Sequence, residues 1–275
     1  MKIGRKVVKY INFTYPRRID GDWINVPVIG GTKIGLSGER FLLDIFRHFL
    51  PALDGATLDV GANLGQTLAK VKLADSGRRY YGFEPNPVCF SYLQRLVADN
   101  AWSDVTLFPV ALGDNATVVP LKVSPAAPTD SRASLVDAVR EPFTETVDRH
   151  VAVFEFSTID RLIDEPVALI KVDVEGSELE VLIGMEGRLR RDRPVICIEF
   201  LPLEPLAKQQ ERAFELLKAH RYEIFQVLKT RDKRWRGLLP TPTYERNRKI
   251  NESDFVAVHK SRIRLLDGLV VENPS

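Results

Sequence analysis

Cysteine is nearly missing: Cys89 and Cys197 are the only two in 275 residues, far apart and set among apolar or aromatic neighbours. A disulfide scaffold or a thiolate zinc cluster needs more thiols or regularly spaced histidines, so the pair reads as two buried, reduced thiols. The four histidines, His48, His150, His220 and His259, stand at no metal-ligand spacing. Long apolar runs are missing too, since stretches such as Val167–Ile170 fall far short of the roughly 20 residues that cross a bilayer. Lys2, Arg5 and Lys6 imitate the basic start of a signal peptide, but Lys9, Arg17 and Arg18 follow with no apolar segment of about 7–15 residues between. A cytoplasmic protein without a membrane span is the expectation. An excess of one charge is absent as well: the net charge of +2 gives no electrostatic reason to expect a nucleic-acid partner.

What is present is the composition of a globular protein with one large core, 44% apolar and 28% charged. Residues 1–52 read as an N-terminal extension, a lid or brace. It holds short extended pieces with turns at Tyr15-Pro16, Asp20-Gly21-Asp22 and Gly30-Gly31, then a helix in which Phe41, Leu42, Ile45, Phe46 and Phe49 recur at helical spacing. Ser37 is the expected N-cap of that helix and Pro51 its stop. Over residues 53–275 short apolar strands alternate with amphipathic helices, beginning at Ala56–Val60, Arg79–Glu84, Val105–Val110, Ala168–Asp173 and Val195–Phe200. That alternation predicts an α/β domain, a doubly wound parallel sheet covered on both faces. Tyr222–Leu228 and Asp254–His259 have no helix between them and should pair antiparallel at one edge. Two insertions interrupt the plan, a turn-rich stretch at about 114–157 and a basic loop at 229–252.

A nucleoside cofactor needs glycine where backbone comes close, donors at a helix N-terminus, and an acid at the end of the next strand for ribose hydroxyls. Gly61, Ala62 and Gly65 form the turn after the first strand of the alternation, and Glu84 ends the second, nineteen positions beyond Gly65. The loop Gly61-Ala62-Asn63-Leu64-Gly65-Gln66 lacks the three-glycine spacing that seats a pyrophosphate. Asp59, just before the loop, suits a cationic sulfonium or amino group, and Asn63, Gln66 and Thr67 could hold an amino-acid moiety. S-adenosylmethionine is therefore favoured. An NAD(P)-dependent oxidoreductase on a Rossmann-like sheet is the alternative, and a non-catalytic S-adenosylmethionine-binding module a third.

Five segments carry a family resemblance. They are Leu58-Asp59-Val60-Gly61-Ala62-Asn63-Leu64-Gly65-Gln66, Gly82-Phe83-Glu84-Pro85-Asn86-Pro87, Val110-Ala111-Leu112-Gly113-Asp114, Thr158-Ile159-Asp160-Arg161-Leu162 and Ile170-Lys171-Val172-Asp173-Val174-Glu175-Gly176-Ser177-Glu178. With them the chain resembles the FkbM methyltransferases, which act mostly on hydroxyl oxygens. The resemblance implies a seven-stranded sheet with an antiparallel last strand. It also implies that Asp59, Gly61, Asn63 and Gly65 surround the methionine part of the cofactor, that Glu84 binds the ribose with Pro85 and Asn86 beside it, and that Ala111 and Leu112 lie near the adenine.

Ligands of open parallel sheets bind outside the carboxyl ends of the strands, which places Asp173 and Glu175 toward the transferred methyl. Asp173 is the first choice, and Glu175 the second, for the base that takes an acceptor's proton. Two other readings stand beside this one. Asp173, Glu175 and Glu199 could hold Mg²⁺ or another hard cation, or Glu175 and Glu178 could simply favour the first turn of a helix. Lys171 could pair with Asp173 or orient substrate. The expected acceptor is a small molecule or glycan, such as a sugar, glycolipid or polyketide. Weaker candidates are Ser131 and Ser134 for a loop over the site, His150 in its alternating strand, and Trp235, Tyr244 and the basic residues of 229–252, which could receive an anionic or sugar-containing acceptor.

Overall fold

The computed structural model describes residues 12–124, 129, 146–245, 249 and 252–271. Ser131, Ser134, Arg246 and Arg248 and the basic residues at 2–9 lie outside them. The described chain opens with an antiparallel hairpin of β1 (Phe13–Ile19) and β2 (Asp22–Val28), turning through Asp20 and Gly21 at positive φ. Helix α1 (Arg40–Phe49) follows, and its buried Phe41, Leu42, Ile45, Phe46 and Phe49 join one face of the main core. Each such side chain contributes about 1.5–3 kcal/mol by leaving water. The N-cap is Glu39 in the left-handed region and not Ser37, because the Glu39 side chain is drawn to Lys70, 3.1 Å away, instead of closing the helix end.

The main sheet has eight strands. Five run parallel: β3 (Ala56–Val60), β4 (Tyr80–Phe83), β5 (Val105–Phe108), β9 (Val167–Val172) and β10 (Val195–Glu199), in the order β5-β4-β3-β9-β10. Strands β3 and β9 are buried along their whole length, as strands covered on both faces must be. Next to β10 comes β13 (Asp254–His259), antiparallel to it, then β11 (Tyr222–Lys229), antiparallel to β13. These seven strands match the expected antiparallel insertion. The eighth, β12 (Trp235–Pro240), pairs with β11 at the edge, so the first part of the expected 229–252 loop is a hairpin. Its charged flanks mask a short strand whose Gly237 and Leu238 are buried against residues 269–271.

Helices α2 (Gln66–Ala74) and α3 (Pro87–Asp99) share the α1 face. Helices α4 (Phe156–Asp160), α5 (Glu178–Gly184), α6 (Glu186–Arg191) and α7 (Ala207–Ala219) cover the other. What reads as one helix over 176–190 is two, broken at Met185. The 114–157 region supplies two strands of a second, three-stranded sheet in the order β6-β8-β7: β7 (Thr117–Val123) and β8 (Val147–Glu155) join β6 (Ala111–Gly113), which precedes it. No described helix is long and apolar enough to cross a membrane.

Candidate active site

Beyond the carboxyl ends of β3, β4 and β9 lies a cleft of about 610 Å³. Into it the chain brings Gly61, Asn63, Glu84, Pro85, Asn86, Ala111, Leu112, Asp173 and Glu175 of the residues singled out by sequence. Val60, Phe83, Cys89, Leu121, Val174 and Ser177 complete the lining. Asp59, Ala62, Gly65, Gln66, Thr67 and Glu199 do not line it.

Glu84 organises one end of the cleft. Its Oε2 accepts the Asn63 backbone N–H and its Oε1 the Asn86 backbone N–H, both at 2.7 Å. The carboxyl thereby ties the loop after β3 to the start of α3, and each oxygen keeps a further lone pair for a hydroxyl donor. Burial pushes its pKa up to about 7 against the pull of those two hydrogen bonds. Asn86 caps α3, its Oδ1 accepting from Val88 N at 3.1 Å, and Pro87 takes the first helical position. The sequence Glu-Pro-Asn-Pro thus makes a helix start and a cleft-lining carboxylate at once. Asn63 sits at φ 48°, its Oδ1 bonded to Leu64 N at 2.7 Å. Ala111 and Leu112 from β6, with Leu121 from β7 and Cys89 from α3, supply the apolar wall.

The glycines act differently from the expectation. A Cβ on Gly61 (φ +90°) would stand 1.9 Å from the Asp173 carbonyl oxygen, and one on Gly65 (φ +93°) 2.6 Å from Leu96. Both glycines let chain pack against chain: Gly61 draws the ends of β3 and β9 together, and Gly65 seats α2 against α3.

Asp59 points away from the cleft, fully buried on the α1 face. One of its oxygens accepts from the Tyr80 hydroxyl and the other has no hydrogen-bond partner among the described residues. Burial, partly offset by Lys171 and Tyr80, raises its pKa to about 6. Beside it Lys171 donates to Asp173 Oδ2 at 2.9 Å, which decides between the two roles open to that lysine in favour of ion pairing. Despite burial, Asp173, Glu39, Glu199 and Asp59 hold the Lys171 ammonium firmly protonated. Glu199 follows the pairing of Ile198 with Val172 and so stands one strand over from Asp173. Burial and the nearby Asp173 and Asp254 push it up to about 9, against Lys171 and the Ser253 hydroxyl 2.7 Å away.

Among the described residues no three carboxylate, histidine or cysteine groups gather as a cation site. The Mg²⁺ reading of Asp173, Glu175 and Glu199 finds no support, and the partner of Asp173 is the ammonium of Lys171. Glu178 accepts from Gly176 N at 2.9 Å and is buried, a capping role, whereas Glu175 precedes the helix at φ 54° and faces the cleft. Trp235 packs against His48 and Phe49, and the Tyr244 hydroxyl donates to Gln210 at 2.6 Å; neither lines a cleft at the strand ends. His150 is exposed on β8.

The chain is similar to several methyltransferases. Methyltransferase sdnD from Sordaria araneosa is 33% identical over 156 residues, 47% of this chain and 60% of that protein. The crystal structure of methyltransferase FkbM from Methylobacillus flagellatus shares 20% identity over 74% of this chain and 43% of its own, with a TM-score of 0.47. An O-methyltransferase from Bacillus cereus in complex with SAH shares 13% identity over 82% of each chain, with a TM-score of 0.48. The chain thus spans under two thirds of the first two relatives. Residues 59–224 match the methyltransferase FkbM domain, and the chain belongs to that family.

Proposed function

We propose that the chain transfers a methyl group from S-adenosylmethionine to a hydroxyl oxygen of a small-molecule or glycan acceptor. The observation that carries this reading is the single cleft in which a nucleoside-type carboxylate, Glu84, and an ion-paired carboxylate at the end of β9, Asp173, face the same space. The residues fit the cofactor: Glu84 would hold the ribose hydroxyls, Ala111, Leu112 and Leu121 the adenine, and the polar end at Asn63 and Ser177 the amino-acid part. When bound, S-adenosylmethionine supplies an electrophilic methyl on a sulfonium and leaves as S-adenosylhomocysteine.

The protein's part is alignment and proton removal. Lys171 fixes Asp173 through Oδ2, leaving the second carboxylate oxygen for the acceptor. Asp173 takes the hydroxyl proton as the oxygen–carbon bond forms, and Glu175 helps orient the same hydroxyl. The N-terminal extension is a brace: Asn25 and Asn100 exchange hydrogen bonds, and Arg234 joins the β11–β12 hairpin to Asp20 and Asp44. The test is incorporation of labelled methyl from S-adenosylmethionine into a panel of hydroxylated sugars and polyketides. Label appearing on nitrogen and never on oxygen would reject the oxygen assignment.

A further inference from the structure

A second cleft, of about 1390 Å³, opens at the ends of β10 and β11 and at the start of β13, next to Asp173 by way of Glu199. Some of its charges are paired and three are left over. Lys229 is bound to Asp254 at 2.6 Å and lies over the Phe41 ring, while Glu39 is bound to Lys70 at 3.1 Å. Glu199 hydrogen-bonds Ser253 and is held neutral near pH 7. Arg231 and Lys233 have no carboxylate partner among the described residues, and Glu252 is the remaining anion in the lining.

The hairpin tip that carries them is built to aim them. Thr230 N donates to Arg234 O at 2.9 Å, Lys233 N to Thr230 O at 3.0 Å, and Arg234 N to the Thr230 hydroxyl at 3.1 Å. Lys233 adopts φ 61° to close the turn. Arg234 is held on Asp44 and Asp20, at 2.6 and 2.9 Å, while Arg231 and Lys233 line the cleft.

We propose that this cleft is the acceptor site and that Arg231 and Lys233 hold an anionic group, a phosphate or carboxylate, on the acceptor. This rests on the methyl-transfer reading. From β9 to β11 the sheet steps through β10 and β13, three strand spacings or about 14 Å. The ends of β9 and β11 thus stand about 14 Å apart, a separation that an extended acceptor such as a disaccharide phosphate can bridge. Arg231 supplies a planar fork for two oxygens and Lys233 a point charge.

The experiment is calorimetry on the full chain saturated with S-adenosylhomocysteine, using inorganic phosphate, trehalose 6-phosphate and trehalose. Trehalose 6-phosphate should bind at least about tenfold more tightly than trehalose, the value of one charge-assisted contact. Arg231→Ala/Lys233→Ala should erase that difference with S-adenosylhomocysteine affinity unchanged. Lys208→Ala/Arg212→Ala, removing equal charge from exposed positions of α7 on the opposite face, should preserve it. Equal binding of the two sugars, no saturable binding of either phosphate, or a preference that survives Arg231→Ala/Lys233→Ala overturns the proposal. So does tighter binding of a stem-loop RNA than of trehalose 6-phosphate. Failure of S-adenosylhomocysteine itself to bind would instead strike the methyl-transfer reading.

Discussion

The proposed contact of Glu84 with the ribose predicts a cofactor affinity that depends on pH. Burial holds its pKa at about 7, above the usual carboxylate range. The folded chain grips this proton more tightly than the unfolded chain, so the group's contribution to stability is present at low pH and is lost as pH rises through about 7. Binding runs the other way, because ribose hydroxyls donate and the ionised carboxylate accepts. The ionised fraction climbs from about one tenth at pH 6 to about nine tenths at pH 8, so the Kd for S-adenosylhomocysteine should fall about tenfold across that range. Titration calorimetry at three pH values reads it directly. Glu84→Gln should flatten the profile and weaken binding by about tenfold or more at pH 8, since a charged acceptor becomes a neutral one. A flat wild-type profile, or a slope that survives in Glu84→Gln, would refute the placement of the ribose on this carboxylate.

Asp173→Asn should lower turnover by about 100-fold or more while S-adenosylhomocysteine binds within about threefold of wild type; near-normal turnover would remove Asp173 as the base. Lys171→Met leaves Asp59 and Asp173 without their shared counter-charge and should cost about 3–5 kcal/mol in urea unfolding near neutral pH. Gly61→Ala must place a Cβ against the Asp173 carbonyl at φ +90°. It should destabilise by about 2 kcal/mol or more in the same assay, an effect of strand packing rather than of cofactor contact.

The parallel core was legible because β3, β4, β9 and β10 are short apolar runs separated by helices of ordinary length. The place of Glu84 in the cleft was legible for the same reason, since an acid at a strand end after a glycine turn is a local pattern. Asp59 was misjudged although strand parity held the signal: Val60 lines the cleft, so its neighbour must face the other side of the sheet. Leu121 and Cys89 became cleft residues only through tertiary packing, Leu121 by a separate small sheet folding back beneath the nucleoside end. Strand β12 was hidden because Arg231, Lys233, Arg234 and Arg236 give the segment the composition of a solvated loop, while its pairing with β11 supplies the order. The buried network of Glu39, Lys70, Asp59, Lys171 and Glu199 joins five separate stretches of chain, and no spacing rule in one of them announces the others.

The most direct measurement is calorimetric titration of the purified chain at pH 8 with S-adenosylmethionine, S-adenosylhomocysteine and NAD⁺. One-to-one binding of the first two, lost together in Glu84→Ala, with no heat from NAD⁺, is the predicted result. Binding of NAD⁺ without either methyl-cycle ligand would contradict it.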